Sequence, residues 1–475
     1  MKSFQQSRNN LLTLFSGAWR KPITQVVLVG CVLFTQPGMF DALSGLGAGG
    51  QRASSVSLTD QANAALYGCF AVVGFMGGSI VNTLGARITF FLGTIGYTIY
   101  VGSLWCLDRT GNTNFVIAGG ALCGISAGML WSVHGMVTMS YPEEKNKSKS
   151  FAITWSLLSV GATLGGLITL VQNLGGVSNS GVSTGTYVAF VIVMIIGCLL
   201  SLLLMNPRSI RRSDGTSLEN FHQSSFIKEL VDTVKLYKDW KMMLLFPAFF
   251  SSNFFYSYQF GINAFYFSLR SRSLNSMIYW LTQIVGSVGI GLLLDSTKLS
   301  RRKRGLIGLI VVCVFVIATW IGGAIFQRQF TRESKSPNVD WTSPHFGGPF
   351  VLYFMYGIAD AMWQSWCYWI MGSLTNESYK LARYAGFYKG TQSAGNAISF
   401  GLDALKVPFN RELGANFGMM VFSMPFMFFV AGKLTDTNYG LEEEVIVPAH
   451  VQENNIERSS DQEFEVIHEC MQFKS

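Results

Sequence analysis

Charged residues are scarce in this chain: Asp, Glu, Lys and Arg together make up only 13% of its 475 residues. A soluble domain typically carries about a quarter of its residues as charges, so this composition argues against an ordinary water-soluble fold. The mean hydropathy is positive at +0.33, and 49% of the residues are hydrophobic. The composition is therefore that of a membrane protein.

Nucleotide loops, metal-ligand motifs and catalytic groupings are also missing from the sequence. No G-x-x-x-x-G-K-[ST] stretch is present to hold a triphosphate, and no C-x-x-C spacing offers a zinc site. Most of the eight cysteines lie inside apolar stretches, which leaves no pair for a disulfide in an outer loop. These absences predict that the protein is not an enzyme and uses neither a cofactor nor a metal.

Long apolar runs are abundant, and each is long enough to form a membrane-spanning helix, which needs about 20 residues. The twelve runs are 22–46, 60–84, 88–107, 114–140, 151–173, 185–206, 242–268, 274–295, 305–326, 349–374, 384–405 and 413–433. So many closely spaced runs exclude the alternative of a soluble helical protein with a large core. The sequence predicts an all-α membrane protein with twelve transmembrane helices.

The order of apolar and polar stretches predicts two six-helix bundles joined by a linker. The predicted parts are a cytoplasmic tail at 1–21, a first bundle at 22–206, a cytoplasmic linker at 207–241, a second bundle at 242–433 and a disordered acidic cytoplasmic tail at 434–475. Within the linker, Ile227, Val231 and Val234 recur at helical spacing beside lysines. This pattern suits either an amphipathic helix on the membrane face or a solvated linker helix.

The net charge of +8 follows from the placement of basic residues along the chain. If the amino terminus is cytoplasmic, most of the 35 Lys and Arg residues fall on inner loops, as the positive-inside rule requires. The basic clusters at 208–212 and 301–304 therefore set the orientation and favour anionic lipid head groups. We expect both termini to be cytoplasmic and the lipid bilayer, rather than nucleic acid, to be the partner of these charges.

A repeat relates the two predicted bundles. GISAGMLWS from Gly124 returns as GIADAMWQS from Gly357, and Gly78-x-x-x-Asn82 after the second run returns as Gly291-x-x-x-Asp295 after the eighth. Two matches at equivalent places indicate a direct repeat of six helices. Such repeats are typical of secondary transporters, in which two bundles rock around one central site.

The short loops of the second pair resemble the G-x-x-x-D-R-x-G-R-R motif of the major facilitator superfamily. The first copy consists of Gly78, Asn82, Gly85 and Arg87, with asparagine in place of the acid, and the second consists of Gly291, Asp295, Arg301 and Arg302, with two residues inserted. The resemblance implies that the acid faces a helix amino terminus in the same half and latches the outward-facing state. Asp295 would keep this latch and Asn82 would weaken it; alternatively, Asp295 only ends a helix beside a basic cluster.

A narrower resemblance lies in the first apolar run, CVLFTQPGMFDALSGLGAGGQ from Cys31 to Gln51. It is similar to the start of fungal members of the uncoordinated-93-like branch of the same superfamily, many of which carry asparagine at the position of Asp41. The resemblance implies a twelve-helix membrane protein. Members of this branch include uncharacterised transporter-like proteins and animal proteins that regulate a potassium channel or escort receptors.

Asp360 is the strongest candidate for a functional residue, because an ionisable side chain inside the bilayer is costly unless it is paired or hydrated. It lies about eleven residues into the tenth run, roughly 16 Å along a helix and near the midplane. We expect it to face a central cavity, where it exchanges a proton or contacts a cationic or polar group. The alternative is an internal acid held by neighbouring hydroxyl and amide groups.

Other polar and aromatic residues within the apolar runs are further candidates for solute contact or coupling, Asp41 near the outer end of the first run and His134 in the inner third of the fourth. They are Gln36, Asp41, His134, Asn253, Tyr256, Gln283, Trp363, Gln364, Gln392 and Asn396. The pair Pro37–Gly38 predicts a break in the first helix beside Asp41. The alternative for Asp41 is a simple end of the helix at the membrane interface, and for the others it is packing, since amides also join membrane helices.

A cavity of aromatic and amide groups suits an amphipathic organic molecule better than a bare ion. The sequence therefore predicts a secondary transporter that moves a small organic solute by alternating access, driven by a proton or solute gradient. The alternative is a transporter-like accessory protein that carries nothing and regulates or escorts a membrane-protein partner, a channel or a receptor.

Overall fold

The computed structural model describes residues 17–45, 56–173, 184–213, 215–218, 225–439, 445–449 and 451–453, and its regular elements in these ranges are helices. The α-helices are α1 (Pro22–Thr35), α2 (Pro37–Gly45), α3 (Val56–Leu84), α4 (Ala86–Thr110), α5 (Thr113–Ser140), α6 (Lys147–Asn173), α7 (Thr184–Ser201), α8 (Phe226–Lys235), α9 (Trp240–Ser251), α10 (Tyr256–Tyr266), α11 (Leu269–Leu294), α12 (Arg301–Gln327), α13 (Gly347–Leu374), α14 (Ser378–Ala404) and α15 (Phe409–Ala431). Most of the predicted acidic tail lies outside the described residues.

Among the described residues, nine helical stretches are long and apolar enough to cross a membrane, α1 and α2 counting as one. Three further predicted spans correspond to the broken pair α9–α10 and to α13 and α14. These helices carry polar side chains, Asp360 and Lys389 among them, which face inward and are buried. Apolar side chains such as Leu292 and Val314 are exposed on the outside of the bundle, where lipid would lie. The protein is thus an all-α membrane protein.

The first crossing is broken where the sequence predicts it. α1 ends at Thr35, Gln36 leaves the helical region with φ −103° and ψ −88°, and α2 begins at Pro37. Gly38 allows α2 to lie close to α6, because a Cβ at this position would stand 3.0 Å from the carbonyl oxygen of Leu158. The break therefore directs the short helix α2, and Asp41 with it, toward the centre of the molecule.

The seventh crossing is also broken, which differs from the continuous helix predicted over 242–268. α9 ends at Ser251 and α10 begins at Tyr256. The hydroxyl of Ser252 donates to the carbonyl of Phe249 at 2.9 Å, a local bond that competes with helix continuation. Asn253 consequently lies in the turn rather than on a shared helix face with Tyr256.

The repeated glycines mark the same helix crossing in both halves. Gly124 of α5 packs against the backbone of Leu66 in α3, and Gly357 of α13 packs against the backbone of Tyr279 in α11. Between the halves, α3 packs along α14 and α6 along α11. α3 and α14 approach closely at Gly74 and Gly390, where a Cβ on Gly74 would meet backbone atoms of Gly390 at 2.9 Å. The fold consists of two pseudo-symmetric bundles with one central interface.

Candidate functional site

A cavity lies at the centre of the interface between the two bundles. It leaves about 40 Å³ for the centres of water-sized molecules, which is room for a few waters. Its walls come from both halves and are rich in aromatic residues: they comprise Phe40, Tyr67, Phe70, Tyr97, Trp131, Trp155, Tyr256 and Trp280, the polar residues Asp41, Asn253, Gln364, Lys389, Gln392 and Ser393, and the apolar residues Pro37, Leu66, Ala127 and Leu158. Five of the candidates predicted from the sequence therefore line this cavity: Asp41, Asn253, Tyr256, Gln364 and Gln392.

Lys389 of α14 is the cavity residue that the sequence analysis missed. Its side chain is buried, and its ammonium donates to Gln392 Oε1 at 2.7 Å and to Gln364 Oε1 at 3.2 Å. The same ammonium lies 4.2 Å from the centre of the Trp131 ring, with three more aromatic rings within 6 Å. Amide oxygens and aromatic faces thus replace water around the charge.

Asp360 lies behind the cavity wall, which corrects the prediction that it faces the cavity. Its carboxylate accepts hydrogen bonds from Tyr256 at 2.9 Å, from Tyr279 at 2.8 Å, and from the amides of Gln283 at 3.1 Å and Gln364 at 2.7 Å. This is the arrangement of the alternative interpretation, an internal acid held by hydroxyls and amides. Asp360 orients two wall residues, and through Gln364 it is connected to Lys389.

Asp41 occupies the position expected of Asp360. It lines the cavity from α2 and is partly exposed to it. In the part of the chain that the structure describes, no group donates a hydrogen bond to its carboxylate. The Oδ1 atom of Asn253 is likewise buried without a partner among these residues. The cavity therefore presents two acceptors that the described protein groups leave unmatched.

Several other predicted residues hold helices together and do not line the cavity. The Gln36 amide donates to the carbonyl of Met194 at 2.5 Å, and the Trp363 indole donates to that of Ala248 at 3.2 Å. The His134 ring is buried, with Nε2 3.0 Å from the hydroxyl of Thr154. For these three residues the geometry is that of the packing alternative.

Gln283 and Asn396 are also buried near the centre without lining the cavity. Gln283 connects the halves, since its Oε1 accepts from the Trp155 indole at 2.8 Å while its amide donates to Asp360. Asn396 lies beside Tyr67, whose ring stacks on Phe400 at 5.5 Å. Both residues belong to the layer that supports the wall.

Asp295 joins the two halves on the side of the molecule that carries α8, which we call the linker side. Its carboxylate accepts from the backbone N–H groups of Ser148 at 3.2 Å and Lys149 at 2.6 Å, at the amino terminus of α6. The prediction of a helix in the same half was wrong, because α11 ends beside α6 of the other half. The helix dipole favours the carboxylate at this position.

The first copy of the motif uses a different acid. Asn82 donates to Glu229 Oε2 of α8 at 2.8 Å and to the carbonyl of Tyr379 at 3.3 Å, near the start of α14. Glu229 also accepts from the guanidinium of Arg383 in α14 at 3.0 Å. The linker helix thus supplies the carboxylate that Asn82 lacks. The two copies occupy equivalent places, because Asn82 faces the start of α14 as Asp295 faces the start of α6.

We expect Glu229→Gln to loosen this contact between linker and bundles. Glu229 is almost fully buried, so loss of its charge leaves Arg383 with only the more distant and more exposed carboxylate of Asp232 and should lower the free energy of unfolding by about 1–3 kcal/mol. Thermal unfolding of the purified protein measures the change. The matched control is Asp232→Asn, 3.6 Å from the same guanidinium but more exposed, with an expected effect below about 1 kcal/mol. Equal effects of the two variants would contradict this role of Glu229.

Further charged contacts close the linker side. The Lys147 ammonium donates to the carbonyls of Gly372 at 2.7 Å and Thr375 at 3.0 Å, at the carboxyl end of α13. Arg301 pairs with Glu144 of the other half at 2.5 Å. These bonds bridge the two halves. The bonds of Lys147 also place a positive charge at the carboxyl end of α13, where the helix dipole favours a cation.

The remaining motif residues have different surroundings. Gly78 lets α3 approach α14, since a Cβ there would stand 2.6 Å from the Cα of Arg383, and Gly291 faces Ser148. Gly85 immediately precedes α4 and has a positive φ of 84°. Arg87, in the first turn of α4, donates a hydrogen bond to the carbonyl of Leu204 at 2.7 Å. Arg302 is exposed.

A charged cluster lies at the interface between the halves on the opposite side, which we call the far side. Within the second half, Arg332 pairs with Asp403 and with Glu412, the latter at 2.9 Å, and the Asp60 carboxyl of α3 in the first half lies beside Asp403 of α14. Nearby, Arg270 donates to Asp340, and this bond holds the pKa of Asp340 well below its usual range. Contacts between the halves therefore lie on both sides of the cavity.

Comparisons with known proteins agree with this architecture. A family model described as "Ion channel regulatory protein UNC-93" matches residues 60–400. An UNC93-like protein of Schizosaccharomyces pombe is 40% identical over 438 residues, which cover 90% of this chain and 86% of that protein.

Solved transporter structures share the fold at low sequence identity. The fucose:proton symporter of Escherichia coli superposes with a TM-score of 0.58 at 11% identity, over 88% of this chain and 99% of the symporter. The human organic anion transporter MFSD10 gives a TM-score of 0.59 at 12% identity, over 86% and 99% of the two chains. These similarities show the fold of the major facilitator superfamily.

Proposed function

Because this chain belongs to the UNC-93 family and has the major facilitator fold, we propose that it is a secondary transporter that moves a small organic solute by alternating access. In this mechanism the bundles separate on one side of the membrane while they stay joined on the other. The contacts of Asp295 and Glu229 join the halves on the linker side, and on the far side Asp60 of the first half meets Asp403, which Arg332 holds from within the second half. Each set must break in turn to admit and release a solute.

The observation that carries this proposal is the pair of opposite charges at the cavity, Lys389 and Asp41, in a wall of aromatic and amide groups. They are not within ion-pair distance of each other, so neither charge serves to neutralise the other directly. Buried charges are costly and are commonly retained at transport pathways. A protein that only scaffolds a partner has no need for ionisable groups around an internal cavity.

Asp360 acts through the wall in this proposal. It holds Tyr256 and Gln364, and Gln364 in turn holds the Lys389 ammonium. Proton or solute gradients are the driving forces that suit such a site. We assign to Asp360 the positioning of the wall and of the cavity cation.

The experiment that tests the proposal compares small molecules inside and outside cells that lack the protein, express it, or express Asp360→Asn at a matched level. The substitution would replace one carboxylate oxygen by an amide N–H₂, which faces a donor whichever way the amide is oriented, either that of Gln364 or that of Gln283, so solute movement should fall by about tenfold or more. The control is Asp108→Asn, a conservative change on the solvent-facing end of α4, which should leave movement unchanged.

The second candidate function is a transporter-like accessory protein, favoured by the description of the matching family as ion channel regulatory proteins. In that case no solute would follow the protein although it is abundant in the membrane. Cross-linking in intact membranes would then recover a channel or receptor with the intact chain.

A further inference from the structure

Two acceptors at the cavity, the Asp41 carboxylate and Asn253 Oδ1, receive no hydrogen bond from the described residues. This excess of acceptors indicates the chemical class of the solute. We infer that the solute is an organic cation, an amine whose protonated nitrogen binds Asp41 and whose apolar body lies against the aromatic wall. The inference rests on the proposed transport function and specifies its substrate class.

Lys389 already has partners. Two of its three N–H donors are bonded to Gln364 and Gln392, and the ammonium is enclosed by aromatic rings, that of Trp131 being nearest. An incoming anion would have to compete with these groups. The Lys389 ammonium is therefore part of the cavity wall rather than an open binding site for an anion.

The Asp360 carboxylate also has hydrogen-bond partners already. Its two oxygens accept four hydrogen bonds, as many as an ionised carboxylate ordinarily takes. Gln364 lies between Asp360 and Lys389, donating to the first and accepting from the second. These two opposite charges thus form one unit connected by an amide.

Asp41 remains outside this unit. With Asp360 and Lys389 offsetting each other, the Asp41 carboxylate is the uncompensated charge at the cavity among the described residues. Asn253 adds a second acceptor, Oδ1, that has no donor there. A protonated amine supplies what both groups lack, whereas a carboxylate would face a like charge.

The aromatic wall suits the same class of solute. The rings of Tyr67, Tyr97 and Trp280 line the cavity with Asp41. Aromatic faces attract cations, and an apolar body attached to the amine would bury surface against them. A hydrated inorganic cation would gain little from such a wall.

Three probes of nearly equal shape test the inference: phenethylammonium, 2-phenylethanol and phenylacetate, which differ chiefly in charge. Thermal unfolding of the purified protein is measured at increasing concentrations of each. A ligand that binds the folded state raises Tm with concentration. We expect phenethylammonium to raise Tm and the other two probes to have at least about tenfold weaker effects, as expected for loss of a charged hydrogen bond.

Variants assign the binding to Asp41. Asp41→Asn should weaken the effect of phenethylammonium by about tenfold or more, while Asp41→Glu, which keeps the charge, and the distant control Asp108→Asn should retain it. The Tm of each variant without probe shows that it is folded. Stabilisation by phenylacetate instead, equal stabilisation of Asp41→Asn, or no stabilisation by any probe would overturn the inference.

The cellular comparison separates this inference from the proposed function. If solutes follow the protein and are anions or neutral molecules, transport stands and the cation assignment is wrong. If no solute follows an abundant protein, the proposed function itself fails. Cationic solutes that are lost with Asp41→Asn would support both.

Discussion

Replacing Lys389 by methionine is expected to abolish transport while leaving the binding of an organic cation intact or stronger. Methionine fills a similar volume but removes the ammonium that Gln364 and Gln392 hold. Both amide oxygens then lose a donor, and the charge of Asp360 loses its counterpart. Removing one partner from a buried charged arrangement typically costs about 3–5 kcal/mol, which corresponds to roughly 10²- to 4 × 10³-fold in rate or equilibrium.

Binding and transport should separate in this variant for an electrostatic reason. With Asp41 and Asp360 both uncompensated, a cationic solute binds more strongly, but its release is slower and turnover falls. Uptake into reconstituted vesicles measures transport, and the shift of Tm with phenethylammonium measures binding. Lys380→Met, on the same helix but close to the surface, is the control and should preserve both.

Transport by Lys389→Met at the rate of the unchanged protein would remove Lys389 from the mechanism. Loss of transport together with loss of cation binding would show instead that the ammonium supports the whole wall. Asp41→Asn differs from Lys389→Met in its signature, since it should weaken both binding and transport. The two variants together therefore distinguish a charge that binds the solute from a charge that organises the site.

The fold could be predicted from the sequence because its determinants are local or repeated. Apolar runs of helix length predict the crossings, and the matched glycines at 124 and 357 predict the pseudo-symmetry. The break at Pro37–Gly38 was predicted from backbone chemistry and is confirmed by the end of α1 at Thr35. The break between α9 and α10 carries no proline or glycine at 252–255, so its signal was too weak to predict it.

The site was only partly predictable, because its partners lie far apart in the chain. Gln364 and Gln392 were correctly placed near the centre, but the side that a helix turns toward a cavity depends on packing. Asp360 therefore turned out to lie behind the wall, and Asp41 on it. Lys389 lies inside the predicted run 384–405 and had the same signal as Asp360, an ionisable group within the bilayer.

The far-side cluster illustrates the same limit. Asp60, Asp403 and Glu412 lie near the ends of three predicted runs, where charged residues are common and carry little information. Their meeting with Arg332 follows from the packing of α3 against α14 and of the α12–α13 loop against α15. The repeated sequence contains no trace of this contact, since the cluster has no counterpart at equivalent positions in the first half.

The pseudo-symmetry leads to a final prediction: Gly124→Ala and Gly357→Ala should both destabilise the protein strongly, and to a similar extent. A Cβ at position 124 would stand 2.0 Å from the carbonyl oxygen of Leu66, and at position 357 it would stand 2.1 Å from that of Tyr279. The obstructing atoms belong to helix backbones, which cannot rotate away as a side chain can. Whole helices must shift, and we expect a loss of about 3 kcal/mol or more, at the upper end of overpacking effects.

Two glycines serve as controls for these substitutions. Gly102 of α4 and Gly289 of α11 have open space where a Cβ would lie, so alanine should be tolerated there and favour the helix by up to about 1 kcal/mol. Thermal unfolding and the monodisperse fraction in detergent measure the four variants. If Gly124→Ala and Gly357→Ala were as stable as the control variants, close helix packing could not explain why glycine recurs at these two positions. If only one were destabilised, the two crossings would not be equivalent, whereas equal losses would show that both bundles depend on the same contact.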